Sequence, residues 1–185
     1  PGCEAGNVIA DVLSGKVNPS GKLTSTWSVK YEDFPNAKTF SHCNGDTTNE
    51  KYEEGIFVGY RYFDSFGVET LYPFGYGLSY TTFETGDLGV TAEGNLVTVT
   101  ATITNTGNTH AGRQVVEVYA ACPKDARNRE LKKLIGFKKT ALLKPGESET
   151  VTVTVNAKEF AAFDEKQSAW VVDAGEYAVF VSENA

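Results

Sequence analysis

Leu71-Tyr72-Pro73-Phe74-Gly75-Tyr76-Gly77-Leu78-Ser79-Tyr80-Thr81-Thr82-Phe83 divides the chain into two unlike parts. Aromatics at alternating positions suit an extended segment, whose side chains point to opposite faces with a period of two. The interleaved glycines let the backbone bend, or pass close to another body where a Cβ would clash. A stretch this aromatic is poorly soluble when exposed, which predicts burial between two bodies. It therefore reads as the hinge, over 71–86, between an N-terminal piece (1–70) and a C-terminal β-domain (87–185).

Downstream of the hinge the pattern is β. Leu96, Val97, Val99, Ala101 and Ile103 alternate with threonines. After the turn Asn105-Thr106-Gly107-Asn108 comes a strand around Val115, Val116, Val118 and Tyr119. A charged segment, 123–133, leads to a strand around Ile135 and Phe137. Lys144-Pro145-Gly146-Glu147 turns into Val151, Val153 and Val155, alternating with Thr152 and Thr154. Ala161 to Phe163, Ala169 to Val172 and Tyr177 to Val181 complete about seven short strands. Regular turns between short strands predict an antiparallel β-sandwich.

Upstream, Asn7 to Ser14 reads as a helix with Val8, Ile9, Val12 and Leu13 in one apolar stripe, stopped at Gly15. Asn18-Pro19-Ser20-Gly21 has turn chemistry, and Leu23 to Trp27 reads as a strand. One helix and one strand cannot bury each other, so residues 1–27 require a partner that these residues do not supply. Val29 to Glu53 is a long polar loop. Ile56 to Phe63 reads as a strand and Asp64-Ser65-Phe66-Gly67 as a turn.

The hinge, together with Tyr52-Glu53-Glu54-Gly55-Ile56-Phe57-Val58-Gly59-Tyr60-Arg61-Tyr62-Phe63-Asp64, resembles the C-terminal signature of family 3 glycoside hydrolases, the β-glucosidase and β-xylosidase group. Asn18-Pro19-Ser20-Gly21-Lys22-Leu23 resembles that family's turn and strand after its last sandwich helix. The region from Asp87 resembles its fibronectin type III-like domain. The resemblance implies a mostly β chain: an immunoglobulin or fibronectin type III-like sandwich preceded by the helix, strand and long loop that end an α/β sandwich domain. It also implies a retaining β-glycosidase that needs no metal or cofactor. Its partners would be the remaining catalytic domains of the same enzyme and, through them, a β-linked glucoside or xyloside. Some relatives are circularly permuted, so the barrel domain precedes or follows this segment.

Retaining glycosidases hold two carboxylates ~5–5.5 Å apart across the scissile bond. The family's nucleophile lies in its barrel and its acid/base upstream of the matched segment, so the resemblance places no catalytic residue here and implies that the chain alone is inactive. Glu53 and Glu54 are adjacent; on a strand they point to opposite faces and make no catalytic pair. They read as structural, with Glu54 bonding Arg61 or a backbone amine.

The chain has 185 residues and a formal net charge of -7. That balance argues against nucleic acid, which needs a basic face, and no apolar run is long enough to span a bilayer. Cys3, Cys43 and Cys122 give neither a disulfide framework nor a CxxC metal site. Adjacent His42 and Cys43 do not suit tetrahedral ligation of one ion. Trp27, Tyr31, Phe34, Phe40 and Tyr52 flank the long loop and either pack the junction or line an outer sugar subsite. Lys124 to Glu130 reads as a solvated tip or a contact to another domain. The competing reading is a stand-alone carbohydrate-binding or adhesion module, for which the apolar helix has no use. A protein-interaction domain rests on fold class alone.

Overall fold

A computed structural model describes residues 2–123 and 129–185. In chain order the elements are α1 (Ala5–Leu13), β1 (Trp27–Ser28), α2 (Tyr60–Phe66), β2 (Thr70–Tyr72), β3 (Phe83–Glu93), β4 (Leu96–Asn105), β5 (Val115–Ala121), β6 (Lys133–Lys139), β7 (Ser148–Asn156), β8 (Ala162–Asp164), β9 (Ala169–Val171) and β10 (Ala178–Ser182).

The C-terminal part is the expected antiparallel sandwich. One sheet has the order β3-β4-β7, the other β10-β5-β6. Strict alternation in β4 and β7 sends Val99, Ala101, Ile103, Val151, Val153 and Val155 inward, where they meet Val116, Val118, Ala120 and Ile135. The threonines between them face solvent and pair across the strands: Thr98 with Thr154 at 3.2 Å, Thr102 with Thr150 at 3.3 Å, and Thr104 with Ser148 at 2.8 Å. Such β-branched, hydrogen-bonded pairs fix the register of a sheet whose other face is buried. Asn105, fully buried, pins the turn: it accepts from Thr81 Oγ1 and Gly107 N, and donates to the carbonyls of His110 and Leu143.

The sandwich begins before Asp87. β3 starts at Phe83, which pairs with Asn105, and a bulge between Gly86 and Gly89 interrupts the ladder around Asp87. β8 and β9 form a separate hairpin. Phe137 is exposed although Ile135 is in the core. The register slips between Val118 and Tyr119, leaving Ile135 as the extra residue, so that Gly136 lies opposite Val118. A Cβ on Gly136 would lie 2.8 Å from Val153.

The N-terminal part departs from the sequence reading in three places. Ile56 to Phe63 is not a strand and Asp64 to Gly67 is not a separate turn: residues 60–66 are α2, ended by Gly67 in the left-handed conformation (φ 62). A strand at Leu23 to Trp27 shrinks to Trp27–Ser28, which pairs with β2. Leu23 instead makes an isolated backbone exchange, its N–H to Tyr76 O and its carbonyl to Gly75 N, both 2.8 Å. Asn18 to Gly21 is not a turn but an extended strap. Asn18 accepts from Tyr80 N at 2.8 Å and donates to Ala111 O at 3.0 Å, tying the strap to the hinge and the sandwich at once.

Candidate functional site

Two surfaces carry the chemistry of this chain: the face on which the N-terminal part docks, and an open apolar groove behind it.

The docking face is the outer side of β5. Because Val116, Val118 and Ala120 point into the core, Glu117 and Tyr119 point outward, yet both are buried. The hinge and α2 cover them. Tyr60 packs edge-on against Tyr119 with centroids 5.7 Å apart, and Phe74 lies 5.2 Å from Tyr60. Gly75 (φ 82) presses directly on the Glu117 carboxylate; a Cβ there would sit 2.6 Å from Oε2 and 2.8 Å from Asn184 Cα. Close approach is the reason for glycine at this point of the hinge, and also at Gly77, where a Cβ would collide with Gly21 O.

Glu117 and Tyr119, caught under the hinge, partner each other. Tyr119 Oη donates to Glu117 Oε2 at 2.6 Å, and Lys132 Nζ stands 5.1 Å from the Tyr119 ring centroid. Burial pushes the Glu117 carboxyl up from its ordinary value, opposed by the Tyr119 hydrogen bond and by Lys22 and Lys132. Burial also pushes the Tyr119 hydroxyl up, and the hydrogen bond to Glu117 adds to it. Lys22 is shifted down by desolvation, against the pull of Glu183 and Glu117.

Further bonds stitch the two parts together. Leu134 N donates to Tyr60 Oη at 2.8 Å, Leu131 N to Ser65 Oγ at 2.9 Å, and Ala185 N to Phe74 O at 2.8 Å. Lys132 pairs with Asp64 at 3.3 Å, and Arg61 faces the buried Glu130 at 3.8 Å. Sequence reasoning did not single out Glu117 or Tyr119. The available signal was a lone carboxylate between valines in VVEVYAA, a charge that either faces water or is deliberately covered.

The second surface is open. α1 buries none of its residues; Val8, Ile9 and Leu13 are all more than half exposed. Beside it lies a groove of about 510 Å³ lined by Val12, Pro19, Leu23, Trp27, Tyr72 and Leu78 among others. At its C-terminal end the helix is tied to the hinge by Tyr80 Oη donating to Val12 O at 2.9 Å. A contiguous exposed apolar patch of this kind marks a surface that another body covers.

The other residues singled out in the sequence fall as follows. Glu53 and Glu54 lie in irregular chain, not on a strand, and Glu54 accepts from Asn36 rather than from Arg61. His42 Nδ1 contacts Asp46 O at 2.6 Å, Cys3, Cys43 and Cys122 are free, and no group of three potential metal ligands occurs among the described residues. Phe34 packs on the buried Phe63 (5.7 Å) and on Tyr31 (6.3 Å), and Trp27 on Tyr72 (6.1 Å), yet all five aromatics, Trp27, Tyr31, Phe34, Phe40 and Tyr52, remain exposed. The reading of Lys124 to Asn128 as a tip lies outside the described residues. Arg129 and Glu130 are not solvated: Arg129 bonds Asp173, and Glu130 is buried.

Two family models match separate stretches of the chain. The Glycosyl hydrolase family 3 C-terminal domain matches residues 1–60, and the Fibronectin type III-like domain residues 114–185. Thermostable beta-glucosidase B of Acetivibrio thermocellus is 39% identical over 184 residues, covering 97% of this chain and 24% of that protein. An exo-alpha-(1->6)-L-arabinopyranosidase of Bifidobacterium longum is 43% identical over 181 residues, covering 97% and 23%. Beta-glucosidase 3B from Thermotoga neapolitana, in complex with alpha-D-glucose, superposes with a TM-score of 0.92 at 45% identity, over 98% of this chain and 25% of that one. The chain thus spans about a quarter of the length of the relatives it matches. It belongs to the C-terminal region of the family 3 glycoside hydrolases, with a match to that family's C-terminal domain followed by one to a fibronectin type III-like domain.

Proposed function

We propose that this chain is the C-terminal part of a retaining β-glycosidase of β-glucosidase type, and that its role there is to close the α/β sandwich domain and clamp the β-domain onto it. The observation that carries the reading is the bare apolar face of α1 with the groove beside it. In water an unpacked nine-residue helix is marginal by itself. Here Val8, Ile9 and Leu13 are left exposed by the described residues, while the rest of the N-terminal part is fastened to the sandwich by aromatic packing and polar bonds. A stand-alone module would have no use for a helix presented in this way.

The sugar-cleaving carboxylates belong, on this reading, to the rest of the enzyme. Glu53 and Glu54 take no part in bond cleavage, and β-linked glucosides or xylosides reach this chain only through the other domains. The test is hydrolysis of an aryl β-glucoside. The isolated chain is expected to be inactive, and turnover is expected when it is co-expressed with the remainder of its gene product. Turnover by the isolated chain that vanished in Glu53→Gln or Glu54→Gln would refute the assignment.

A further inference from the structure

Beside the docking face, a separate concavity of about 310 Å³ opens between α2, the segment leading into β6, and the β8–β9 hairpin. Its polar wall holds the loose Arg61–Glu130 ion pair. The Arg61 guanidinium and the Glu130 carboxylate face one another at 3.8 Å, beyond hydrogen-bond reach, and neither side chain hydrogen-bonds to another described residue. The Glu130 side chain is only 8% exposed, and its carboxylate oxygens still reach the solvent of the concavity. A hydroxyl group is donor and acceptor together; set against the open side of the pair, it would donate to Glu130 and accept from Arg61.

The opposite wall is aromatic and bare. Trp170 is 70% exposed and Phe163 53%, packed edge to face at 5.8 Å on the hairpin. Water alone would bridge Arg61 and Glu130 but would leave the indole uncovered. An anion is disfavoured: Lys133 is already spent on the carbonyls of Glu159 and Ala161, Arg129 on Asp173, and Arg61 shares the pocket with Glu130 and Glu165. Balanced charge, an accessible Arg61–Glu130 pair without hydrogen bonds and an exposed indole fit a ligand with hydroxyls on its rim and C–H groups on its face.

The geometry points to a non-catalytic binding site for a neutral pyranoside oligosaccharide, one ring stacking on Trp170 and its hydroxyls bridging Arg61 and Glu130. The site asks nothing of the cleavage machinery, and it stands or falls separately from the proposed glycosidase role.

Trp27 and Trp170 are the two tryptophans, so the indole N–H signals of the ¹⁵N-labelled 185-residue chain resolve the question. Cellotetraose is the probe. The Trp170 signal should move saturably, with a dissociation constant of about 1 mM, and the Trp27 signal should stay in place. Trp170→Ala removes an exposed side chain and should keep a dispersed spectrum; backbone shifts around Arg61 and Glu130 should then report affinity lowered about tenfold or more. Arg61→Met should also weaken binding several-fold while leaving the Trp170 environment intact. The proposal is overturned by an unmoved Trp170 signal at saturating sugar, by movement of Trp27 alone, by unchanged affinity in Trp170→Ala, or by sodium sulfate reproducing the shift where cellotetraose does not.

Discussion

Gly75 is the residue on which the two parts of the chain meet. Its positive φ and its contact with the Glu117 carboxylate both exclude a side chain. Gly75→Ala should therefore destabilise the chain by about 1–3 kcal/mol, through strain and overpacking together, read as a lower melting temperature. Gly86→Ala, with open space around it, is the control and should cost far less. Glu117 makes a pH-dependent contribution whose sign follows from burial. Its folded pKa lies above the unfolded one, so the folded state holds the proton more tightly, and stability falls as pH rises from the ordinary carboxylate range through the raised folded value. Glu117→Gln keeps an acceptor for Tyr119 Oη and carries no charge. It should flatten that part of the stability profile, melting at least as high as the parent chain at pH 8 but with no advantage at pH 4. A steeper profile in the variant would contradict the burial account.

At the scale of elements, the hinge is a clasp. Phe74 packs on Tyr60, which packs on Tyr119. Phe74 is only partly buried, so Phe74→Ala should cost somewhat less than the ~3–5 kcal/mol of a fully buried phenylalanine, again as a lower melting temperature. The start of the sandwich gives a second expectation. Thr81 bonds the buried Asn105, and Phe83 opens β3. A chain from Ser79 to Ala185 should unfold cooperatively, whereas one from Asp87 should melt markedly lower because Asn105 loses a partner in the core. Equal melting temperatures would place the boundary at Asp87 after all.

The strands were legible wherever valine and threonine alternate, as in β4 and β7, because one buried face imposes a period of two. The strand around Ile135 and Phe137 was legible too, but not that a bulge at Ile135 turns Phe137 outward, which nothing local in LIGFKK announces. α2 was misread because IFVGYRYF is rich in β-formers, and tertiary packing overrode propensity. The signal for it was Phe63 and Phe66 at helical spacing, bracketed by Gly59 and Gly67. The docking face was less legible still: Glu117 meets Gly75 and Tyr119 meets Tyr60 only once the sandwich has brought distant segments together.

For the molecule as a whole, the account holds that a folded sandwich carries on its flank an unfinished piece of another domain. The two should differ in stability. Buried amides of β4 and β7 open only with the sandwich, while α1, with no buried residue, opens almost freely. Hydrogen exchange resolved by segment tests this directly, on the isolated chain and on the same chain assembled with the rest of its enzyme. The account predicts that residues 5–13 exchange rapidly in the isolated chain and slow by about a hundredfold or more on assembly, as the face of Val8, Ile9 and Leu13 is covered, while β4 and β7 change little. Residues 5–13 exchanging equally fast in both states would contradict it.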